Sequence, residues 1–220
     1  MKTYEKELPE GYVEAKVVDA KNGKVGLILN LIAAAVILAT LVITWFVLFA
    51  HIHEPFADIF RNRILLPNRW ANIARVGIFL VAYIAYIILH ELTHGVVYKI
   101  LTKQKLKFGM TFTVAYCGVP DIYVYRSTAL LSLLAPFVLF LPAFLVPMFF
   151  LKNYIDVLLF ALLLGMHIGG CVGDLYDTFL YLFKFRSPTT LMRDTGPKQT
   201  FYVRQQIRNA EATFDGENNQ

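Results

Sequence analysis

Residues 78–102 read IFLVAYIAYIILHELTHGVVYKILT, a run apolar enough to lie in lipid that carries His90-Glu91-Leu92-Thr93-His94 in its second half. Ionisable side chains are costly inside a membrane span, so their presence there signals a functional site. The order His-Glu-x-x-His on a helix is the zinc-hydrolase arrangement. His90 and His94 stand one turn apart on one face, separated by about 40° of rotation, so both imidazoles reach a single Zn2+ at about 2.0–2.1 Å. Glu91 points about 100° away from His90, close enough to meet a water at the metal without becoming a ligand.

The rest of the chain is equally apolar. Hydrophobic residues make up 57% and charged residues 17% of the 220 positions, against about 45–50% and 25% in soluble domains. Four stretches, residues 25–49, 71–101, 127–151 and 154–183, reach the about 20 residues a bilayer crossing needs. The first has no charge between Lys24 and His51 and acids mixed into its basic flank, so it reads as a retained span and not as a signal peptide. The expected fold is an α-helical integral membrane protein with about four transmembrane helices. Its organisation is an N-terminal cytoplasmic segment (1–24), a four-span membrane domain (25–183) and a cytoplasmic tail (184–220).

Charge placement gives an orientation. With four spans, 16 of the 21 Lys and Arg residues fall on the side that holds both termini and 5 on the other. The positive-inside rule then puts both termini in the cytoplasm of a multi-pass cell-membrane protein. His94 precedes Lys99 by five residues, which sets the metal about one and a half turns from the cytoplasmic helix end. The basic residues suit contact with the lipid bilayer, and no segment is dense enough for nucleic acid. Cys117 and Cys171 form no C-x-x-C pair, so neither a disulfide framework nor a redox motif is expected.

The connecting segments are short. Residues 1–24, with Leu8-Pro9-Glu10-Gly11-Tyr12, suit a turn and a strand lying on the membrane. Between the first two spans His51 and His53 form an H-x-H pair that reads better as solvated loop than as metal site, followed by a Pro67-Asn68-Arg69-Trp70 turn in which Trp70 suits an interface. From Lys107 to Tyr125 apolar residues alternate (Phe108, Met110, Phe112, Val114, Tyr116), and Gly118-Val119-Pro120-Asp121 reads as a turn before Ile122–Tyr125. That period predicts a small β-hairpin between spans 2 and 3. An exposed edge there suits capture of an extended peptide by strand addition. Past Arg186 the chain is polar and reads as a surface or frayed tail.

Two histidines leave a catalytic zinc short of a third protein ligand. The last span offers His167, Cys171, Asp174 and Asp177. If one helix runs through them, His167 and Asp174, seven apart, return to within about 20° of one face. Gly165, Gly169 and Gly173 form a small-residue stripe that lets another helix approach closely, as the short Asp174 side chain requires, and that also suits a homo-oligomer. Asp174 is the favoured third ligand, with His167, Asp177 and Cys171 as alternatives. With Asp174 on the metal, His167 is placed to hydrogen-bond an oxyanion, a catalytic role.

Leu8-Pro9-Glu10-Gly11-Tyr12, His90-Glu91-Leu92-Thr93-His94-Gly95, Leu134-Ala135-Pro136 and His167 through Asp174 together resemble the bacterial membrane zincin peptidases, relatives of the site-2 proteases. The likeness covers nearly the whole chain. It implies a zinc held by His90, His94 and Asp174, with Glu91 as general base, and a transmembrane or membrane-proximal peptide as substrate. Site-2 proteases place their aspartate before glycine, whereas here Gly173-Asp174-Leu175 stands. The competing functions are a zinc-retaining, non-cleaving binding or chaperone-like protein and a zinc hydrolase acting on a lipid or small molecule. An intact Glu91 favours hydrolysis, since structural zinc needs no base beside its ligands.

Overall fold

The computed structural model describes residues 2–49, 58, 61, 69–110 and 115–205. The His51-x-His53 pair, the Pro67-Asn68 turn, residues 111–114 and the end of the tail (206–220) lie outside the described residues. The helices are α1 (Gly23–Phe49), α2 (Arg69–Thr102), α3 (Arg126–Met148), α4 (Tyr154–Gly170) and α5 (Val172–Phe179), the last continuing into a π-helical turn, Leu180–Lys184. The strands are β1 (Tyr4–Glu5), β2 (Tyr12–Asp19), β3 (Lys107–Met110), β4 (Ala115–Gly118), β5 (Tyr123–Tyr125), β6 (Leu191–Asp194) and β7 (Lys198–Arg204). Helices α1, α2 and α3 are each long and apolar enough to cross a membrane, and α4 with Val172–Lys184 passes the same test as one broken span.

The chain divides into two compact units. The first contains Met1–Ile28, His90–Pro136 and Gly173–Gln220. Its frame is an antiparallel sheet in the order β1-β5-β6-β7-β2, beside the separate β3–β4 hairpin. Pro9-Glu10-Gly11-Tyr12 makes the expected turn. Tyr12 N–H donates to the Pro9 carbonyl at 3.3 Å, and Gly11 takes φ +76°, which the third position of a type II turn requires. Side chains from the sheet (Val18, Val124, Met192, Phe201, Val203) pack with Tyr98 of α2, Ala129 and Leu133 of α3, and Leu180 and Tyr181 into one core.

Two sequence expectations fail here. The tail is not frayed over residues 191–204: β6 and β7 are inner strands of the sheet, and Leu191, Met192 and Phe201 are fully buried. Their signal in the sequence was Asp194-Thr195-Gly196-Pro197, which forms a turn with Gly196 at φ +97° between the two strands. The hairpin also closes earlier than expected. Lys107–Met110 pairs with Ala115–Gly118, whereas Tyr123–Tyr125 leaves the hairpin to pair with β1 and β6. The Val119 N–H donates to the Asp194 carbonyl at 2.9 Å, which turns the chain onto the larger sheet.

The second unit contains Leu29–Leu89 and Phe137–Val172. Helix α4 starts at an Asn153 cap, whose side chain accepts from Ile155 N–H at 2.9 Å. It ends at Cys171, whose N–H bonds the Gly169 and His167 carbonyls. The fourth span is therefore not one continuous helix, and the seven-residue face relation between His167 and Asp174 does not carry across Cys171. The glycine stripe has a partner within the chain. A Cβ on Gly165 would lie 3.1 Å from the Ile37 Cα, and one on Gly169 would lie 3.1 Å from the Ala33 carbonyl oxygen, both on α1. Gly173 meets nothing within 4 Å and takes no part in that contact. Arg75 and Asp156 pair at 2.9 Å, and Phe49 and Ile155 pack with Trp45 and Tyr154.

Gly169→Val should push α4 off α1 and lower the thermal midpoint in detergent, since overpacking a tight contact costs about 1–3 kcal/mol. Gly77→Ala, at an open helix position, should leave the midpoint unchanged or slightly raised. Equal midpoints for the Gly169 variant and the wild type would show that the contact is loose.

Candidate metal centre

Helix α2 turns one stripe inward. His90, His94, Tyr98 and Thr102, spaced by four, are 7%, 6%, 1% and 3% exposed, while Leu92, Val96 and Ile100 face outward. The four-residue repeat stacks the inward side chains on one side of the helix, so both histidines of the motif share a buried face. Gly95 gives that helix a close neighbour. A Cβ there would lie 2.7 Å from Phe108 and 3.2 Å from the Cys117 Sγ, so the missing side chain lets the β3–β4 hairpin lie against α2 beside His94.

Asp174 completes the cluster. The interruption at Cys171 makes it a first-turn residue of α5, where the helix dipole favours a carboxylate. His90 Nε2 and His94 Nε2 lie 3.2 Å apart, and Asp174 Oδ2 lies 3.5 Å from the first and 3.4 Å from the second. Ligands at about 2.0–2.1 Å around a tetrahedral zinc are separated by about 3.3–3.4 Å, so the three atoms have the spacing of one face of such a site. The chemistry of the donors agrees. His94 Nδ1 lies 2.9 Å from the Ser132 carbonyl oxygen, which only accepts, so Nδ1 carries the proton and Nε2 presents its lone pair to the cluster. A proton shared among three atoms satisfies one pair at a time; a cation satisfies all three. The donor set of two imidazoles and a carboxylate fits zinc.

The remaining sequence candidates, Asp177, Cys171 and His167, are not members of this group of three. Asp177, three residues after Asp174, is 2% exposed and is not a member of it. Cys171 is fully buried, with its Sγ 3.7 Å from His167 Nδ1. His167, in the second unit, is fully buried as well. The Tyr86 hydroxyl bonds its Nδ1 at 2.8 Å, Phe137 stacks on its ring, and Phe144 meets it edge-on. The geometry described for His167 is that of an imidazole held by Tyr86 in an aromatic box. Glu91 is half-buried on α2, directly after His90 and three residues before His94. Cys117, on β4, is a buried protonated thiol. Burial pushes it up to about 12, with the Asp194 and Glu91 carboxylates adding to the shift.

Sequence reasoning missed Ser132, Tyr98 and Asp194. One turn beyond His94, the Tyr98 hydroxyl donates to Asp194 Oδ2 at 2.8 Å, and Asp194 Oδ1 accepts from the Gly196 N–H at 2.9 Å and from Gln199 Nε2 at 3.3 Å. This ties the end of α2 to the β6–β7 turn. The signal for it lies outside any local pattern, since Tyr98 and Asp194 are far apart in the chain.

Residues 83–189, just under half of the chain, match the family described as "Putative zincin peptidase". The matched stretch holds His90, Glu91, His94 and Asp174. No curated protein matches the chain, and no solved structure does. The chain is thus similar to a zincin-like family, and zincins are zinc metallopeptidases.

Burial holds the Asp194 carboxyl up to about 6, against the lowering effect of the Gly196 N–H and the Tyr98 hydroxyl. A folded value above that of the free chain means that the native state binds the extra proton between about pH 4 and pH 6. Stability therefore falls as pH rises through that window, by about 3 kcal/mol at most. Asp194→Asn should remove this slope, so that thermal midpoints in detergent at pH 4.5 and pH 7 differ less than in the wild type. An unchanged slope would assign the pH dependence to other groups.

Proposed function

We propose that this chain is a zinc-dependent endopeptidase of the site-2 protease type, cutting peptides within or next to the membrane it spans. The observation that carries this reading is the convergence of His90 Nε2, His94 Nε2 and Asp174 Oδ2 at 3.2–3.5 Å, with Glu91 next to the first ligand. The match of residues 83–189 to a zincin family supports it.

His90, His94 and Asp174 would hold the zinc, which when bound would supply a Lewis acid for the scissile carbonyl and for the attacking water. Glu91 accepts the proton of the attacking water and passes it to the leaving amine, so one carboxylate serves as base and then as acid. Ser132 keeps His94 in the tautomer that presents Nε2. A helical peptide bond is enclosed by its own hydrogen bonds, so the substrate must reach Glu91 in extended form. The β3–β4 hairpin, lying against Gly95, offers strand edges that suit an extended peptide. Both termini face the cytoplasm in this reading, which rests on the Lys and Arg distribution.

Glu91→Gln keeps the side-chain size and removes the base. The variant should bind zinc as the wild type does and lose about 10²–10⁴-fold in cleavage of single-span peptides. His94→Ala should lose stoichiometric zinc as well as activity. Zinc-loaded wild type that binds a broad set of such peptides in liposomes and leaves every one intact would exclude the peptidase and favour a binding protein. For the orientation, a single cysteine at Lys2 should resist a membrane-impermeant label applied to intact cells, and one at Lys152 should react; the opposite pattern would invert the topology.

A further inference from the structure

In an α-helix the carbonyl of residue i is held by the N–H of residue i+4. Helix α3 places Ser132 and Pro136 four apart. Proline has no N–H to give, and its ring crowds the carbonyl four residues back, so a helix interior at proline both frees that oxygen and turns it away from the axis. The freed oxygen here belongs to Ser132, which is fully buried, and Pro136 is buried too. A buried carbonyl without a donor is unfavourable, and solvent cannot supply one at that depth. The donor is His94 Nδ1, 2.9 Å from the Ser132 oxygen. The Ser132 hydroxyl reaches back to the His94 carbonyl at 3.5 Å, so one turn of α3 and one turn of α2 meet at this residue pair.

We propose that Pro136 is a positioning residue for the metal centre. By withholding its backbone N–H from Ser132, it dedicates that carbonyl to His94, which fixes the Nδ1–H tautomer and aims Nε2 at His90 and Asp174. This deepens the zinc reading above and rests on it. Pro142, in the same helix, likewise frees the carbonyl of Val138, a residue that is 65% exposed. Pro142 therefore serves as an internal control, a second proline with the same backbone effect in the same helix as Pro136.

Pro136→Ala restores the missing N–H, straightens the helix at that turn and draws the Ser132 carbonyl back to the axis. Zinc affinity is measured in detergent by chelator competition on the full chain, with the visible spectrum of the Co2+ form as a signature of ligand geometry and the thermal midpoint as a check of folding. Loss of an outer hydrogen bond to a ligating histidine typically weakens metal binding about 10–100-fold. Pro136→Ala should show that loss and an altered Co2+ spectrum, while Pro142→Ala keeps the wild-type affinity. Equal affinity for wild type and Pro136→Ala, or an equal loss in both variants, overturns the proposal. If Pro136→Ala does not fold, 15N spectra of histidine-labelled wild type decide instead: His94 protonated at Nδ1 in the zinc-free protein supports the assignment, and protonation at Nε2 alone overturns it. Wild type that binds no zinc defeats the functional reading, while the His94 tautomer still tests the role of Pro136.

Discussion

Two imidazole nitrogens and a carboxylate oxygen held within 3.5 Å of one another are an unfavourable group unless positive charge lies among them. His90 and His94 are both more than nine-tenths buried, and the Asp174 side chain is 20% exposed, so the cluster is reached by water from the Asp174 side alone. Maintaining it requires that the ligands cannot drift apart. The first unit meets that requirement through α2, fixed on one side of His94 by the Ser132 carbonyl and one turn further on by the Tyr98–Asp194 hydrogen bond. Rigidity of this kind is what a catalytic metal site needs, because ligands held by packing and hydrogen bonds keep the geometry that the chemistry uses.

The sheet has a corresponding purpose. Its strands come from the two ends of the described chain and from the segment after the hairpin, and its buried face packs on parts of α2, α3 and the Leu180–Tyr181 turn that follow or flank the His90, His94 and Asp174 cluster. A site at the end of a helix in a bundle is exposed to fraying, since the last turn lacks intrahelical partners for its carbonyls. Here the last turns of α2 are covered. Thr102 bonds the Tyr98 carbonyl, Lys103 takes the left-handed conformation that ends the helix, and Asp194 receives the Tyr98 hydroxyl.

Each departure from regular helix in the membrane-like segments has a chemical consequence that can be named. The break at Cys171 ends α4 and gives Asp174 a helix N-terminus of its own. The proline at 136 converts a ladder carbonyl into a histidine acceptor. The glycines at 165 and 169, by contrast, serve packing: their missing Cβ atoms allow α4 to contact the α1 backbone, and Gly173 stands outside that contact. Small residues at one spacing thus divide between two purposes according to what faces them.

The sequence by itself determined the apolar stretches, the His90-Glu91-x-x-His94 pattern on one helix and the Pro9–Tyr12 turn, and put Asp174 first among four candidates to join the histidines. These are legible because hydropathy over a span, the four-residue helix repeat and the turn preference of glycine are properties of a few adjacent residues. Only the tertiary structure decided that Leu191–Arg204 forms inner strands, that Tyr123–Tyr125 pairs with β1 and β6 instead of closing the hairpin, and that Cys171 ends a helix. It also decided that Asp194 receives Tyr98 and that Ser132 receives His94. Strand partners and buried hydrogen bonds join residues distant along the chain, and a short polar strand looks like a tail until the apolar side chains of another segment cover its alternate positions. The free energy that selects them is released only on contact, so no local pattern records it.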